Sequence, residues 1–91
     1  MLEVIWRPSG RRQLDGLIQY IRDRDIAAAE RMEAAFRGSI DRLRIMPYLG
    51  RPGRVVGTRE WVVHPNYLLI YRIENETLVV LRALHARQRY P

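Results

Sequence analysis

The sequence predicts an α+β domain of order β-α-α-β-β-β, in which a helical hairpin packs on one face of a small antiparallel sheet. Two adjacent stretches carry apolar residues at helical spacing, and three strand-like stretches follow in the second half of the chain. Because only short turns separate these stretches, consecutive elements should run antiparallel. The 91 residues suffice for one small domain, and we expect residues 1–91 to form a single one.

The first half is predicted to hold one strand and two helices. The segment Leu2–Trp6 alternates in the manner of a strand. Ser9 is a candidate N-cap for the first helix, and Gly16 within that helix predicts a close approach to the second. Asp25 is a candidate N-cap for the second helix, which we predict over Ile26–Met46.

The second half is predicted to hold three main strands, Arg59–His64, Tyr67–Ile73 and Thr77–Leu84, preceded by a short edge piece at 55–56. The three main strands are apolar on both faces. The helices suffice to cover only one face of the sheet. We therefore expect another protein to cover the second face.

Strict alternation assigns the residues of the strands to opposite faces. On the middle strand, Arg72 is expected on the face that the helices leave free. On the last strand, the two expected groups are Val79, Leu81, Ala83 and His85 on one side, and Leu78, Val80, Arg82 and Leu84 on the other.

The charge of the chain is strongly basic and indicates an anionic partner. The net charge is +6, and all 16 basic residues are arginines, which form planar contacts with phosphate and carboxylate. Biased codon usage explains the excess of arginine over lysine equally well. The loop Pro47–Arg59 and the segment after Glu76 contain no acid. The candidate target- or phosphate-binding residues are Arg51, Arg54, Arg59, Arg72, Arg82 and Arg89.

Several classes of protein are disfavoured by composition. The chain has no cysteine, so neither a disulfide framework nor a thiolate metal site is expected. No apolar run approaches the ~20 residues of a membrane span, and we expect no signal peptide ahead of the first strand. We expect a soluble cytoplasmic protein with no membrane association, no cofactor and no metal.

One group of residues near the C-terminus has the chemical types that an RNA-cleaving site requires. Cleavage through the RNA 2′-hydroxyl needs a base, an acid and a cation on the phosphate. His85, Arg87 and Tyr90 can supply them. The simpler interpretation is a basic tail that holds the end of the sheet or pairs with an acidic partner. Glu60, beside Arg59, is expected to be a solvated strand residue.

The chain resembles the RelE/ParE superfamily of toxins from type II toxin–antitoxin modules. The resemblance covers nearly the whole chain and rests on the order and spacing of several short pieces. These are Trp6 at the end of the opening strand, Gln13-Leu14-Asp15 with Tyr20-Ile21, Leu43 with Pro47 and Gly50-Arg51-Pro52-Gly53, Gly57-Thr58-Arg59-Glu60, Tyr67–Ile73, and Val80-Leu81-Arg82 with His85-Ala86-Arg87.

The resemblance implies a small growth-arresting toxin that is neutralised by a cognate antitoxin, in a toxin–antitoxin hetero-oligomer. Leu68, Ile70 and Tyr71 are the expected antitoxin interface. RelE-like members cut mRNA on the translating ribosome, whereas ParE-like members poison DNA gyrase. RelE-like nucleases typically carry an arginine at the position that Leu68 occupies here, whereas Arg87 and Tyr90 fall near two other nuclease positions. We therefore favour a ParE-like gyrase poison, with plasmid stabilisation as one role, over a RelE-like mRNA endonuclease.

Overall fold

The computed structural model describes residues 1–91. A short 3-10 turn, Pro47–Leu49, joins the helical part to the strands that follow it. Neither helix combines the length and apolar character that a membrane span requires. The predicted α+β class is confirmed. The elements, in chain order, are β1 (Glu3–Trp6), α1 (Pro8–Arg22), α2 (Ile26–Ile45), β2 (Arg51–Pro52), β3 (Arg59–His64), β4 (Tyr67–Glu74) and β5 (Thr77–His85).

The five strands form one sheet in the order β1-β5-β4-β3-β2. Strands β2 to β5 are antiparallel neighbours, as the short turns predict. Strand β1 instead pairs in parallel with β5, so the sheet is mixed. Turn length constrains only consecutive strands, and nearly the whole chain separates β1 from β5. The direction of β1 was therefore not determined by the turns.

The edge strand β2 lies at Arg51–Pro52 and not at the expected 55–56. Arg51 pairs with Glu60, and the hairpin is closed by a hydrogen bond from the Gly53 amide to the Thr58 carbonyl oxygen at 2.8 Å. Residues 55 and 56 consequently fall at the tip of the loop, where the side chain of Val56 is fully exposed.

The ends of the helices confirm one cap and correct another. The Asp25 carboxylate accepts a hydrogen bond from the Ala28 amide at 3.0 Å, as predicted for an N-cap. Ser9 is not a cap, because α1 already begins at Pro8, whose fixed φ suits the first helical position. The space beside Gly16 is open, so the expected close helix–helix approach is wrong. The tight contact is instead at Gly10, where a methyl group would lie 2.6 Å from the Leu81 carbonyl oxygen of β5.

A β-bulge near Leu81 changes the faces of β5. Ile70 pairs with Arg82 but the next residue, Tyr71, pairs with Val80, which leaves Leu81 without a partner on β4. As a result Ala83 packs with Val80 in the core beneath the helices, although strict alternation placed the two on opposite faces. Arg82 and Leu84 remain on the other face.

The sheet face turned away from the helices, called the open face below, is partly covered by the chain's own C-terminal tail. Tyr90 packs with Leu68, Ile70 and Leu84 in a second apolar cluster, and all four side chains are buried. The chain therefore covers part of this face itself, while Ile5 and Val62 on the same face remain 54% and 47% exposed. The expectation that another protein covers the rest of the face stays a prediction.

Candidate functional site on the open face and the C-terminal tail

A buried carboxylate organises the arginines at the β2 end of the open face. Glu60 lies opposite Ile70 and is only 4% exposed, so its expectation as a solvated residue is wrong. Arg51 Nη2 lies 2.9 Å from Glu60 Oε1, and Arg54 Nε lies 3.8 Å from Glu60 Oε2. Burial is tolerated because both oxygens face guanidinium groups. Arg51 and Arg54 are thus fixed in place while their outer surfaces remain exposed.

The same arginine, Arg54, reaches the C-terminal tail. Its guanidinium carbon lies 4.6 Å from the centre of the Tyr90 ring, and that of Arg82 lies 6.0 Å away. Arg54 Nη1 also donates to the Tyr90 carbonyl oxygen at 3.4 Å. The Tyr90 hydroxyl is buried and has no hydrogen-bond partner. Tyr90 therefore acts as an apolar plug between two cations.

His85 lies on the opposite side of the sheet from Tyr90. It pairs with Tyr67, and their rings meet edge to face at 5.3 Å beside helix α1. Its Nδ1 accepts a hydrogen bond from the Arg87 amide at 3.2 Å. The Arg87 side chain itself is exposed and forms no ion pair. The structure therefore joins the His85 ring to the Arg87 backbone amide and separates His85 from Tyr90.

Arg59 serves the fold of the turn after α2. Its Nε donates to the Gly50 carbonyl oxygen at 2.9 Å, and its Nη2 donates to the Tyr48 carbonyl oxygen at 3.2 Å. These bonds occupy two of the five N–H donors of its guanidinium group. The geometry gives Arg59 a structural role.

The remaining candidate arginines are distributed between the open face and solvent. Arg72 lies on the open face, as expected, because its neighbours Tyr71 and Ile73 pack beneath the helices. Its Nε donates to Glu74 Oε2 at 2.7 Å, which neutralises part of its charge. Arg89, one residue before the buried Tyr90, is exposed and unpaired.

Tyr71 lies in the core and not on an outer surface. Its hydroxyl donates to the Pro47 carbonyl oxygen at 2.6 Å and accepts from the Gly50 amide at 3.1 Å. Desolvation by burial raises the pKa of Tyr71 above its ordinary value of 10.0, and it outweighs the opposing effects of the Gly50 hydrogen bond and of Arg59. Tyr71 thus binds the turn after α2 to the sheet.

The three residues expected to contact an antitoxin do not form an exposed surface in the isolated chain. Leu68 and Ile70 lie beneath the tail on the open face, whereas Tyr71 lies beneath the helices. Alternation along β4 separates Tyr71 from the other two, so they could not have shared one face. A partner can reach Leu68 and Ile70 only where the tail moves aside.

Sequence reasoning missed the residues that accept hydrogen bonds from the unpaired backbone amides at the edge of β5. Gln13 Oε1 accepts from the Ala83 amide at 3.2 Å, and Gln88 Oε1 accepts from the His85 amide at 2.7 Å. A glutamine gives no sequence signal for this role. The amides of Ala83 and His85 need a side-chain acceptor only because β1 ends before β5 does. Glu60 had a signal, since it is the one acid in the strand Arg59–His64 and directly follows the acid-free loop Pro47–Arg59.

Comparison with known proteins gives one family match and several related structures. The profile of the "ParE toxin of type II toxin-antitoxin system, parDE" matches residues 4–90. Y4kP, a candidate toxin of Sinorhizobium fredii, is 37% identical over 87 residues, which is 94% of this chain and 90% of that protein.

The solved structures share the fold. The chromosomal ParDE system of P. aeruginosa contains a chain with a TM-score of 0.68 and 16% identity, covering 93% of this chain and 96% of that one. A copper-bound mutant toxin from Helicobacter pylori gives a TM-score of 0.74 at 20% identity, covering 99% of this chain and 100% of that one. The RelBE2 toxin–antitoxin complex of Mycobacterium tuberculosis gives a TM-score of 0.58 at 27% identity, covering 92% of this chain and 96% of that one.

Fold and sequence together define a small toxin of the RelE/ParE superfamily from a type II toxin–antitoxin system. Within that class, the chain belongs to the ParE toxin family. An antitoxin partner follows from this membership.

Proposed function

We propose that the protein arrests growth by binding and poisoning DNA gyrase in the cytoplasm, and that its cognate antitoxin neutralises it in a toxin–antitoxin hetero-oligomer. The observation that carries the proposal is the separation of His85 from Tyr90. A nuclease that uses a base, an acid and a phosphate-binding cation needs all of them around one phosphate. Here the imidazole faces α1, and the tyrosine is buried on the open face.

The buried hydroxyl of Tyr90 further disfavours general acid catalysis. A catalytic acid must come within hydrogen-bonding reach of the leaving oxygen. The Tyr90 hydroxyl is enclosed and has no polar neighbour within reach, so substrate could meet it only after the tail had moved. Its packing supports a structural role instead.

The contact surface for the target is the rim of the open face and the end of the tail. Arg51 and Arg54 border that face, and Arg87 and Arg89 extend from the tail with no acidic partner. Such a surface favours an acidic protein surface or a protein–DNA complex as the target.

A second candidate function is a RelE-like endonuclease centred on the open face. The observation in its favour is that Arg54 and Arg82 both flank the ring of Tyr90. Movement of the tail that carries Tyr90 would expose two cations beside a phenol, which could bind and protonate a phosphate ester. This candidate requires Tyr90 itself, whereas the gyrase proposal requires only that Tyr90 pack.

The two candidates are distinguished by inducing the chain in cells that lack its antitoxin. Primer extension across abundant transcripts reports mRNA cleavage, and a DNA-damage reporter in the same culture reports trapped gyrase. We expect intact transcripts and a strong damage response. New 5′ ends within translated codons and a silent reporter would contradict the gyrase proposal.

The arginines of the tail are tested by substitution and not by truncation. Removing residues 87–91 also removes Tyr90 and would uncover the apolar cluster. A loss of growth arrest could then result from unfolding and not from loss of the arginines. The double variant Arg87→Gln and Arg89→Gln keeps Tyr90 in place, and we expect it to lose growth arrest. The matched control is the pair Arg31→Gln and Arg37→Gln on α2, which lowers the net charge equally and should remain toxic.

A further inference from the structure

A cleft of about 510 Å³ lies between α1 and the C-terminal end of β5, on the side of the sheet opposite Tyr90. None of its nine lining residues is acidic. Its volume falls in the range of small-molecule sites, which measure roughly 300–1,000 Å³. The cleft is separate from the open face and is not used by the proposed toxic activity.

Two side-chain amides in this cleft are held with their donors free. β1 ends opposite Val80, so the backbone amides of Ala83 and His85 lie on an uncovered edge of β5. Gln13 and Gln88 accept hydrogen bonds from these two amides through their Oε1 atoms. An amide whose oxygen is fixed as an acceptor must present its NH₂ group away from the strand. Neither NH₂ group has a partner within the protein.

The other polar groups of the cleft are donors as well. Because His85 Nδ1 accepts from the Arg87 amide, the neutral imidazole carries its proton on Nε2. Arg12 lies on the exposed rim and forms no ion pair, although other arginines of the helices do. The cleft therefore offers a cation, an imidazole N–H and two amide NH₂ groups to an electron-rich ligand.

Aromatic rings line the rest of the cleft. The Tyr67 ring meets His85 edge to face at 5.3 Å, and the exposed Tyr20 ring lies on the rim with the Arg24 guanidinium stacked 3.6 Å from its centre. Flat aromatic surfaces beside a phosphate-binding cation favour a ligand that combines a planar base with a phosphate. A bare anion would leave most of the volume unused.

We propose that this cleft is a nucleotide-binding site that takes a nucleoside monophosphate. Arg12 and the Nε2 proton of His85 bind the phosphate, the tyrosine rings contact the base, and the NH₂ groups of Gln13 and Gln88 donate to ring or carbonyl acceptors of the base. Guanine, which carries the acceptors O6 and N7 side by side, is the base with which we test these donors first. The proposal does not depend on gyrase being the target.

The test is a titration of the purified full chain with GMP at low ionic strength, followed by the ¹H–¹⁵N NMR signals of Ala83 and His85. We expect saturable shifts of these two amides, weaker binding of UMP, and little binding of ribose 5-phosphate, inorganic phosphate or glutamate. Absence of saturation at millimolar GMP overturns the proposal. Equal binding of inorganic phosphate or glutamate also overturns it, because the cleft would then recognise only an anion.

Conservative variants connect the binding to the fixed amides. Gln13→Glu and Gln88→Glu keep an oxygen acceptor for the strand amide but replace the free donor with a negative charge. We expect each to weaken GMP binding by about tenfold or more, since a donor is lost and a phosphate is repelled. Unchanged affinity in both variants contradicts the proposed arrangement.

Two matched pairs of variants distinguish changes in the cleft from general effects on the helices or on the net charge. Gly16 borders the cleft and Gly38 lies on α2, and neither has an atom near the position of an added side chain. Gly16→Leu should abolish GMP binding, whereas Gly38→Leu should preserve it. Similarly, Arg12→Gln should weaken binding while Arg31→Gln, with the same loss of charge, should not. Equal effects within either pair overturn the assignment.

Discussion

The guanidinium carbon of Arg54 lies 4.6 Å from the centre of the Tyr90 ring, so the loop between β2 and β3 is joined to the C-terminal tail at the edge of the open face. Glu60 holds the same arginine from the sheet side. The tail is thus part of the folded domain, and no backbone hydrogen bond fixes it beyond Gln88. Its position depends on the burial of the Tyr90 ring and on the contacts that Tyr90 makes with Arg54.

Two substitutions of Tyr90 distinguish the contribution of its ring to the free energy of unfolding from the contribution of its hydroxyl. Because the hydroxyl is buried without a partner, Tyr90→Phe removes an unpaired polar group and should leave the free energy of unfolding unchanged or slightly higher. Tyr90→Ala removes the plug and should lower it by about 2–4 kcal/mol. Urea denaturation followed by circular dichroism measures both. A loss above about 1 kcal/mol in Tyr90→Phe would show that the hydroxyl makes a stabilising bond.

Substitution of Tyr71 should be costly through its hydroxyl alone. Tyr71→Phe leaves the Pro47 carbonyl and the Gly50 amide without their partner, which should lower the free energy of unfolding by about 1–3 kcal/mol. Tyr48→Phe is the control, because its side chain is 71% exposed and should give a change near zero. Equal urea midpoints for the two variants would contradict this role for Tyr71.

Alkaline pH should destabilise the protein through the same residue. The pKa of Tyr71 is raised in the folded state, so the folded protein retains this proton more strongly than the unfolded chain does. The stabilisation is complete below the ordinary pKa of 10.0 and is lost as the pH rises from there through the folded-state pKa. Thermal melts from pH 8 upward should show a steeper alkaline decline for the wild type than for Tyr71→Phe. Parallel declines would refute the assignment.

Two glycines on the same helix should respond in opposite directions to alanine. Gly10→Ala forces a methyl group against the Leu81 carbonyl and should destabilise the protein by about 1–3 kcal/mol through strain where α1 meets β5. Gly16→Ala meets no atom and should stabilise α1 by about 0.5–1 kcal/mol. Differential scanning calorimetry resolves the two signs, with Gly38→Ala as a second stabilising control. A destabilised Gly16→Ala would mean that the space beside it is occupied.

Local sequence signals predicted the elements that depend on local chemistry. The Asp25 cap and the β3 bounds Arg59–His64 follow from short-range preferences, and the structure confirms them. The direction of β1 and the bulge at Leu81 depend on contacts between distant parts of the chain. No local pattern reports such contacts, so the alternation along β5 was predicted correctly only up to the bulge.

The candidate site was harder to predict than the fold for the same reason. Nearness in sequence brought His85 and Tyr90 into one hypothesis, yet the sheet separates them. Conversely, Glu60 and Arg54 form one cluster with Tyr90 although they precede it by 30 and 36 positions in the sequence. A cluster assembled from three distant segments becomes visible only when the register of the strands is known.

The most direct test of the central claim is a DNA cleavage assay with purified gyrase, ATP and supercoiled plasmid, using the wild-type toxin and His85→Ala. We predict that both proteins make linear plasmid accumulate to a similar extent after denaturation of the trapped complex, because the His85 ring faces α1 and contacts only the backbone amide of Arg87, not its guanidinium group. Plasmid that stays uncleaved with wild-type toxin, while the same preparation cuts mRNA on translating ribosomes, would contradict the account.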